Sequence, residues 1–385
     1  MKFSKKMIGL WMTLSIVLTM GCVEEFEANV NEIPNEGLVV EGSIISDSTM
    51  VFQLSKTLPL DISTELRESF MDVDAELSVK GSDGTTWVGL PLGEGQYQVE
   101  IGTLQADVEY HLEILFDGDI YQSSPQKPLA SVGIERMSFT QSDLRDEVDI
   151  FLNTHKGEEP QYCLWSFEED WEVRATYVTT ALYDPVEDRI VHYDHPPVAQ
   201  GWSYSRSNQI LLGTSESNVE NCIVKAPIKR ISYWDDRLSV LYSIRVQQRN
   251  LTPLEYTYYQ MRLKYSSDMG GLFSPQPTEL PTNITCSNPS KKAIGYVGCN
   301  MSISKHQFYI HGEDVSYSDY MKCEIRDDLT GTNQSKYSYG YHVVKTPAVY
   351  GWVMLRCVDV RAMGADPRGR PSWWPNPYLF DENGF

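Results

Sequence analysis

The chain has 385 residues, with 53 Asp and Glu against 32 Lys and Arg, for a formal net charge of −21. A field of that sign excludes nucleic acid and bare anionic membrane as partners, because phosphate is held through basic patches and none is visible. The length suits two domains better than one small sandwich.

Lys2, Lys5 and Lys6 precede an apolar run, Met7 to Met20, that is too short to span a bilayer comfortably and reads as a secretory signal over residues 1–21. These residues contain three lysines and no acid, so the remainder carries −24. The run closes on Leu18-Thr-Met-Gly21-Cys22, which resembles a bacterial lipobox with Cys22 as the lipidated residue. At about 0.8 kcal/mol per buried methylene, more than one acyl chain makes a stable anchor. Glu24, Glu25 and Glu27 follow at once. They resemble the signal that sends many Bacteroidota lipoproteins to the outer face of the outer membrane; a solvated tether over residues 22–37 is the plainer reading.

Setting Cys22 aside leaves an even six cysteines, Cys163, Cys222, Cys286, Cys299, Cys323 and Cys357, which in an envelope protein suggests disulfides. Cys286 with Cys299 is the expected hairpin staple; Cys323 with Cys357 and Cys163 with Cys222 follow by elimination. No Cys-x-x-Cys occurs, so structural zinc fits worse.

From Leu38 short β-branched and aromatic segments alternate with Gly, Asp, Ser and Pro turns, the pattern of a sandwich over residues 38–125. The expected strands are Leu38–Ile45, Met50–Ser55, Ala75–Lys80, Thr85–Leu90, Gln96–Ile101, Tyr110–Phe116 and Ile120–Ser123. Gly81 to Gly84 and Asp117-Gly118 are the turn signals. The spacing resembles immunoglobulin-like or transthyretin-like modules, so the fold class is mainly β, with such a sandwich first.

Pro125 to Pro128 marks a boundary, after which a larger β-rich domain covers residues 129–363 and a Pro/Trp-rich tail covers 364–385. Two longer strands are expected, Trp165 to Tyr177 and Ser239 to Gln247, with Tyr183 to Ser207 a long loop or loose hairpin between them. One prominent helix, near 252–269, opens on Thr252-Pro253-Leu254-Glu255, a capping box with proline at the first helical position. Leu254, Tyr258, Met261 and Tyr265 fall on one stripe, expected to pack on a sheet. Ala293 to Gly298 and Gln307 to His311 read as returning strands.

Tyr242-Ser-Ile-Arg-Val-Gln-Gln, the Thr252 helix, the run from Gly271 through Asn283-Ile284, Ile294-Gly-Tyr-Val, Trp165-Ser-Phe-Glu-Glu-Asp-Trp-Glu-Val and Pro371-Ser-Trp-Trp-Pro together carry a resemblance. The chain resembles a Bacteroidota outer-membrane lipoprotein family known as a domain of unknown function, whose members are commonly encoded beside TonB-dependent receptors. The resemblance implies a location and a neighbourhood, and no catalytic residues. Relatives often show a Cys-x-x-Cys near the C-terminus where this chain has Cys357-Val-Asp-Val360.

No Gly-x-Ser-x-Gly, His-Glu-x-x-His or phosphate-cradling glycine loop is present, so no enzyme activity and no cofactor are expected. Asp184, Glu187, Asp188, His192, Asp194 and His195 crowd into twelve residues and are the weak metal candidates, with a solvated loop as the stronger reading. Glu168, Glu169, Asp170 and Glu172 beside Trp165 and Trp171 have a glycosidase-like composition, but alternation assigns Glu168, Asp170 and Glu172 to the wet side of a strand. Trp202, Tyr204, Trp373 and Trp374 are the binding candidates; pinning of the tail by Trp373 and Trp374 competes with that role. The expected function is a surface-exposed outer-membrane lipoprotein, a non-enzymatic accessory or docking subunit of a TonB-dependent receptor. The alternative is direct binding of a glycan, peptide or metal chelate.

Overall fold

Period-two alternation of apolar side chains builds almost every element. The structure is a computed structural model that describes residues 37–57, 73–184, 189–267, 280–318, 323–325, 342–345 and 350–374. The signal segment, Cys22 and the glutamates Glu24, Glu25 and Glu27 lie outside the described residues, as do Glu187 and Asp188.

The first unit contains β1 (Leu38–Glu41), β2 (Ser43–Ile45), β3 (Ser48–Lys56), β4 (Glu76–Gly81), β5 (Thr86–Val88), β6 (Leu90–Gly93), β7 (Gln96–Ile101), β8 (Tyr110–Phe116) and β9 (Asp119–Ser123). The expected Asp117-Gly118 hairpin joins β8 to β9, with both residues at positive φ. Two expected strands are divided. Leu38–Ile45 breaks at Gly42, where a Cβ would stand 2.3 Å from the Phe52 ring. Thr85–Leu90 breaks at Gly89, and the chain passes there from one sheet to the other.

The second unit begins with β10 (Ile134–Thr140), β11 (Val148–Thr154), β12 (Tyr162–Arg174), β13 (Ala181–Asp184), β14 (Arg189–His192), β15 (Gln200–Arg206), β16 (Leu211–Thr214), β17 (Ala226–Ile231) and β18 (Leu241–Asn250). Helix α1 (Pro253–Ser267) follows, and then β19 (Ile284–Cys286), β20 (Ala293–Gly295), β21 (Gly298–Asn300), β22 (Ser304–His311), β23 (His342–Lys345) and β24 (Tyr350–Val353). The stretch from Tyr183 to Ser207, expected as a loop or loose hairpin, contains the β13–β14 hairpin and β15, which adds to β12.

The sheets cut across the expected domain division. One layer of the first unit runs β20-β1-β3-β7-β6 and the facing layer runs β19-β9-β8-β4-β5, while β2 pairs in parallel with β21. Residues 284–300 therefore complete a sandwich that starts at residue 38, whereas the sequence alone places them in the second domain. Gly295 makes this possible, since a Cβ there would fall 2.1 Å from the Val40 carbonyl oxygen. The second sandwich faces β10-β11-β17 against β15-β12-β18-β22, with β16 also on β12. Its core holds Val148, Ile150, Leu152, Trp165, Phe167, Ile244, Val246 and Ile310. A small sheet, β14-β13-β23-β24, stands beside it.

Cys323 and Cys357 form a disulfide with Cα atoms 5.6 Å apart. The other two expected bridges are absent. Cys286 sits on β19 opposite Tyr121 and its sulfur accepts the Asn288 N–H, whereas Cys299 sits on β21 opposite Ile44. Cys163 is buried in β12, and Cys222 follows a turn with its sulfur 3.5 Å from Asn218 Nδ2. Burial pushes the Cys163 and Cys299 thiols up to about 12.

Thr252 caps α1 as expected, accepting the Glu255 N–H at 3.1 Å. The expected stripe holds at Tyr258, which is buried, and at Met261 and Tyr265, which are half-buried, but fails at Leu254, which is 52% exposed; the buried side also carries Glu255 and Tyr256, with Tyr259 and Arg262 half-buried. The burial of Glu255 has an electrostatic reason. Arg249 at the end of β18 reaches Glu255 at 2.5 Å and Tyr259 Oη at 3.1 Å, and Arg262 pairs with Glu41 of β1 at 2.8 Å. Gly298 leaves the room, because a Cβ there would meet Glu255 Oε1 at 2.5 Å. A buried ion pair thus ties the helix to β18, beside its aromatic stripe, and the partly exposed Arg262–Glu41 pair ties it to the first sandwich.

Candidate binding face

On β12 the inward series is Cys163, Trp165, Phe167 and Glu169. Glu169 is 1% exposed and receives Tyr242 Oη at 2.7 Å, Arg237 at 2.9 Å and Lys229 at 3.1 Å. Arg237 stacks over Trp171 and Lys229 over Phe167. Burial raises the Tyr242 hydroxyl well above its ordinary pKa, and Glu169 pushes the same way. This carboxylate is tied off on every side and is a core support.

The outward series is partly open: Tyr204 is exposed, Asp170 and Tyr309 are half-buried, and Ser243, 1% exposed, is covered. Cross-strand register lays Tyr204, Asp170, Ser243 and Tyr309 in one row over β15, β12, β18 and β22. The neighbouring row is Arg206, Glu168, Arg245 and Gln307. Glu168 joins Arg206 at 2.8 Å and Arg245 at 2.5 Å, and Arg245 also lies 5.6 Å from the centre of the Trp373 ring. Burial works to raise the Glu168 carboxyl, but the two arginines outweigh it and hold its pKa below the ordinary range. Asp170 differs. Burial raises its pKa, Arg245 pulls the other way without a hydrogen bond, and Glu168 adds to the rise.

The expected wet side of β12 is corrected at Glu172, which is 5% exposed. It accepts from Arg174 at 2.6 Å, Gln200 at 2.8 Å and Trp374 Nε1 at 3.4 Å. The tail residues Trp374 and Asp366 close over it: Trp374 packs with Trp202 and Leu241, and Asp366 exchanges backbone hydrogen bonds with Trp202. Of the aromatic candidates, Trp202 and Trp374 are therefore buried, Trp373 is half-buried, and Tyr204 is 65% exposed. Pinning accounts for Trp374, while Tyr204 and Trp373 frame the outward face.

The metal candidates do not converge. His192 stands in β14 with Nδ1 3.3 Å from the Thr180 carbonyl, and Asp194 and His195 follow the hairpin. Among the described residues no three His, Cys, Asp or Glu side chains are grouped to hold a metal. The residues missed at first, Ser243, Arg245, Gln307 and Tyr309, alternate outward on strands that were recognised, but only the pairing of β18 with β22 brings them to Asp170.

No curated protein matches the chain. Residues 23–305, from the position after Cys22 through the strands that complete the first sandwich, match the family described as Domain of unknown function (DUF4249). The chain belongs to the DUF4249 family.

Proposed function

We propose that the protein is a lipid-anchored, outward-facing outer-membrane subunit that docks, without catalysis, on a TonB-dependent transport receptor. The observation that carries this reading is Cys22, set at the end of the Leu18-Thr-Met-Gly21 motif and directly before the family match at residue 23. Fifteen residue steps separate Cys22 from Gly37, so an extended chain lets the first strand stand up to about 50 Å from the lipid. The resemblance to lipoproteins encoded beside TonB-dependent receptors, of Bacteroidota, supplies the partner. The first sandwich also presents Val88, Leu90 and Leu92 on its outer edge, each more than half exposed, which is apolar surface of the kind a protein partner buries.

Affinity purification from crosslinked outer membranes tests the partner. Recovery of a TonB-dependent β-barrel is expected, and repeated recovery of the lipoprotein alone contradicts the proposal. Cys22→Ala is expected to abolish fatty-acid labelling and membrane retention. Replacing Glu24, Glu25 and Glu27 with alanine is expected to protect the protein from external protease on intact cells; continued digestion reduces the acidic run to a tether.

A further inference from the structure

The face around Asp170 has a donor and acceptor arrangement that internal contacts do not use up. Asp170 is half-buried in the middle of the β15-β12-β18-β22 sheet, yet among the described residues no side chain donates a hydrogen bond to its carboxylate. A half-buried carboxylate without a protein donor keeps acceptor capacity that bound hydroxyl groups can fill. Beside it Arg245 is held in place by Glu168 and by the Trp373 ring, which leaves a guanidinium edge fixed in orientation. Gln307 donates to Ser243 at 2.7 Å and fixes the next polar pair in the floor. Tyr204 stands at one end of the row with an exposed ring, and Tyr309 and Trp373 stand toward the other. Three inter-strand steps from Tyr204 to Tyr309 give a span of roughly 14 Å.

We propose that this face binds an extended, uncharged saccharide. Vicinal hydroxyls are the groups that donate to a carboxylate with one oxygen and accept from a guanidinium with the next, which is the pairing Asp170 and Arg245 present. A pyranose also offers an apolar C–H face, which stacks on an aromatic ring such as Tyr204. The competing occupants fit less well. An extended peptide gains affinity by pairing with a free sheet edge, and the β15 edge at Trp202 is already paired with Asp366. An anionic ligand meets Glu168 and Asp170 on a chain of net charge −21. The inference is independent of the anchoring proposal, since purified protein binds saccharide or fails to bind whatever its partner in the membrane.

The test uses full-length protein in detergent on an array of neutral glucan, mannan, xylan and galactan oligosaccharides, with calorimetric titration of any hit. Binding to at least one series is expected. Tyr204→Ala, at a side chain 65% exposed and so without consequence for folding, is expected to weaken it about tenfold. Asp170→Asn is expected to weaken it about tenfold or more. Leu144→Ala, at a residue 72% exposed on the loop after β10, is expected to leave it unchanged. An array without a hit, or binding that survives both Tyr204→Ala and Asp170→Asn, overturns the proposal.

Discussion

The first sandwich fills its inward positions with Phe52 and Leu54 from β3, Tyr97 and Val99 from β7, and Leu112 and Ile114 from β8. In the second, the inward run on β12 passes from Cys163 through Trp165 and Phe167 to a carboxylate, Glu169, which ties β12 to Lys229 of β17 and Tyr242 of β18. An apolar interior is held by area and fit, and its cost of mutation scales with the volume removed. A charged interior is held by completed pairing, so loss of one partner strands the others. The joint between the helix and β18, Arg249 with Glu255, is built on the second plan. Burial tends to lower the Arg249 pKa, but Glu255 and Tyr259 outweigh it and keep the guanidinium charged.

The contrast is broken most severely at Glu169. Glu169→Ala leaves Arg237 and Lys229 without their buried partner and is expected to cost about 3–5 kcal/mol in denaturant unfolding. A loss under 1 kcal/mol would mean that the charged core behaves like an apolar one. Leu112→Ala, in the first core, is expected to cost about 2–5 kcal/mol with little dependence on salt or pH. At the joint, Thr252→Ala removes the helix cap and is expected to cost about 1 kcal/mol, read as a shift of the denaturation midpoint.

Acid is expected to separate the units more gently. Hydrogen bonds from Arg361 hold the Asp359 carboxyl below its ordinary pKa, burial opposing, and Glu168 is also lowered. Stability from both is present above the unfolded carboxylate values near 4 and is lost as pH falls through the lowered folded values. Both groups belong to the second unit and its C-terminal cover, so Trp202 and Trp374 fluorescence should respond before Trp87, the tryptophan of the first sandwich, does. Simultaneous change at all three would contradict the separation.

Much of the fold was legible because alternation and turn chemistry are local. Gln96–Ile101 and Tyr110–Phe116 are strands with the expected bounds, and Thr252 caps the helix that its capping box announces. The errors share a cause, which is long-range pairing. Nothing near residue 293 says that its partner is Leu38, and nothing near Leu254 says that Glu255 beside it is buried against an arginine from β18. The same limit applied to the binding face: Tyr204 and Asp170 were both noticed, but 34 positions of chain separate them, and only β12–β15 register places them opposite each other. Trp202 and Trp374 were read by residue type, whereas the Glu172 carboxylate beneath Trp374 decides that this ring is buried.

Amide hydrogen exchange on the intact protein tests the interleaved architecture most directly. Residues 293–300 should be protected together with β1 and β3, because β20 and β21 hydrogen-bond to β1 and β2. Exchange of 293–300 in step with β12 and β18, while Leu38–Lys56 exchanges independently, would contradict it.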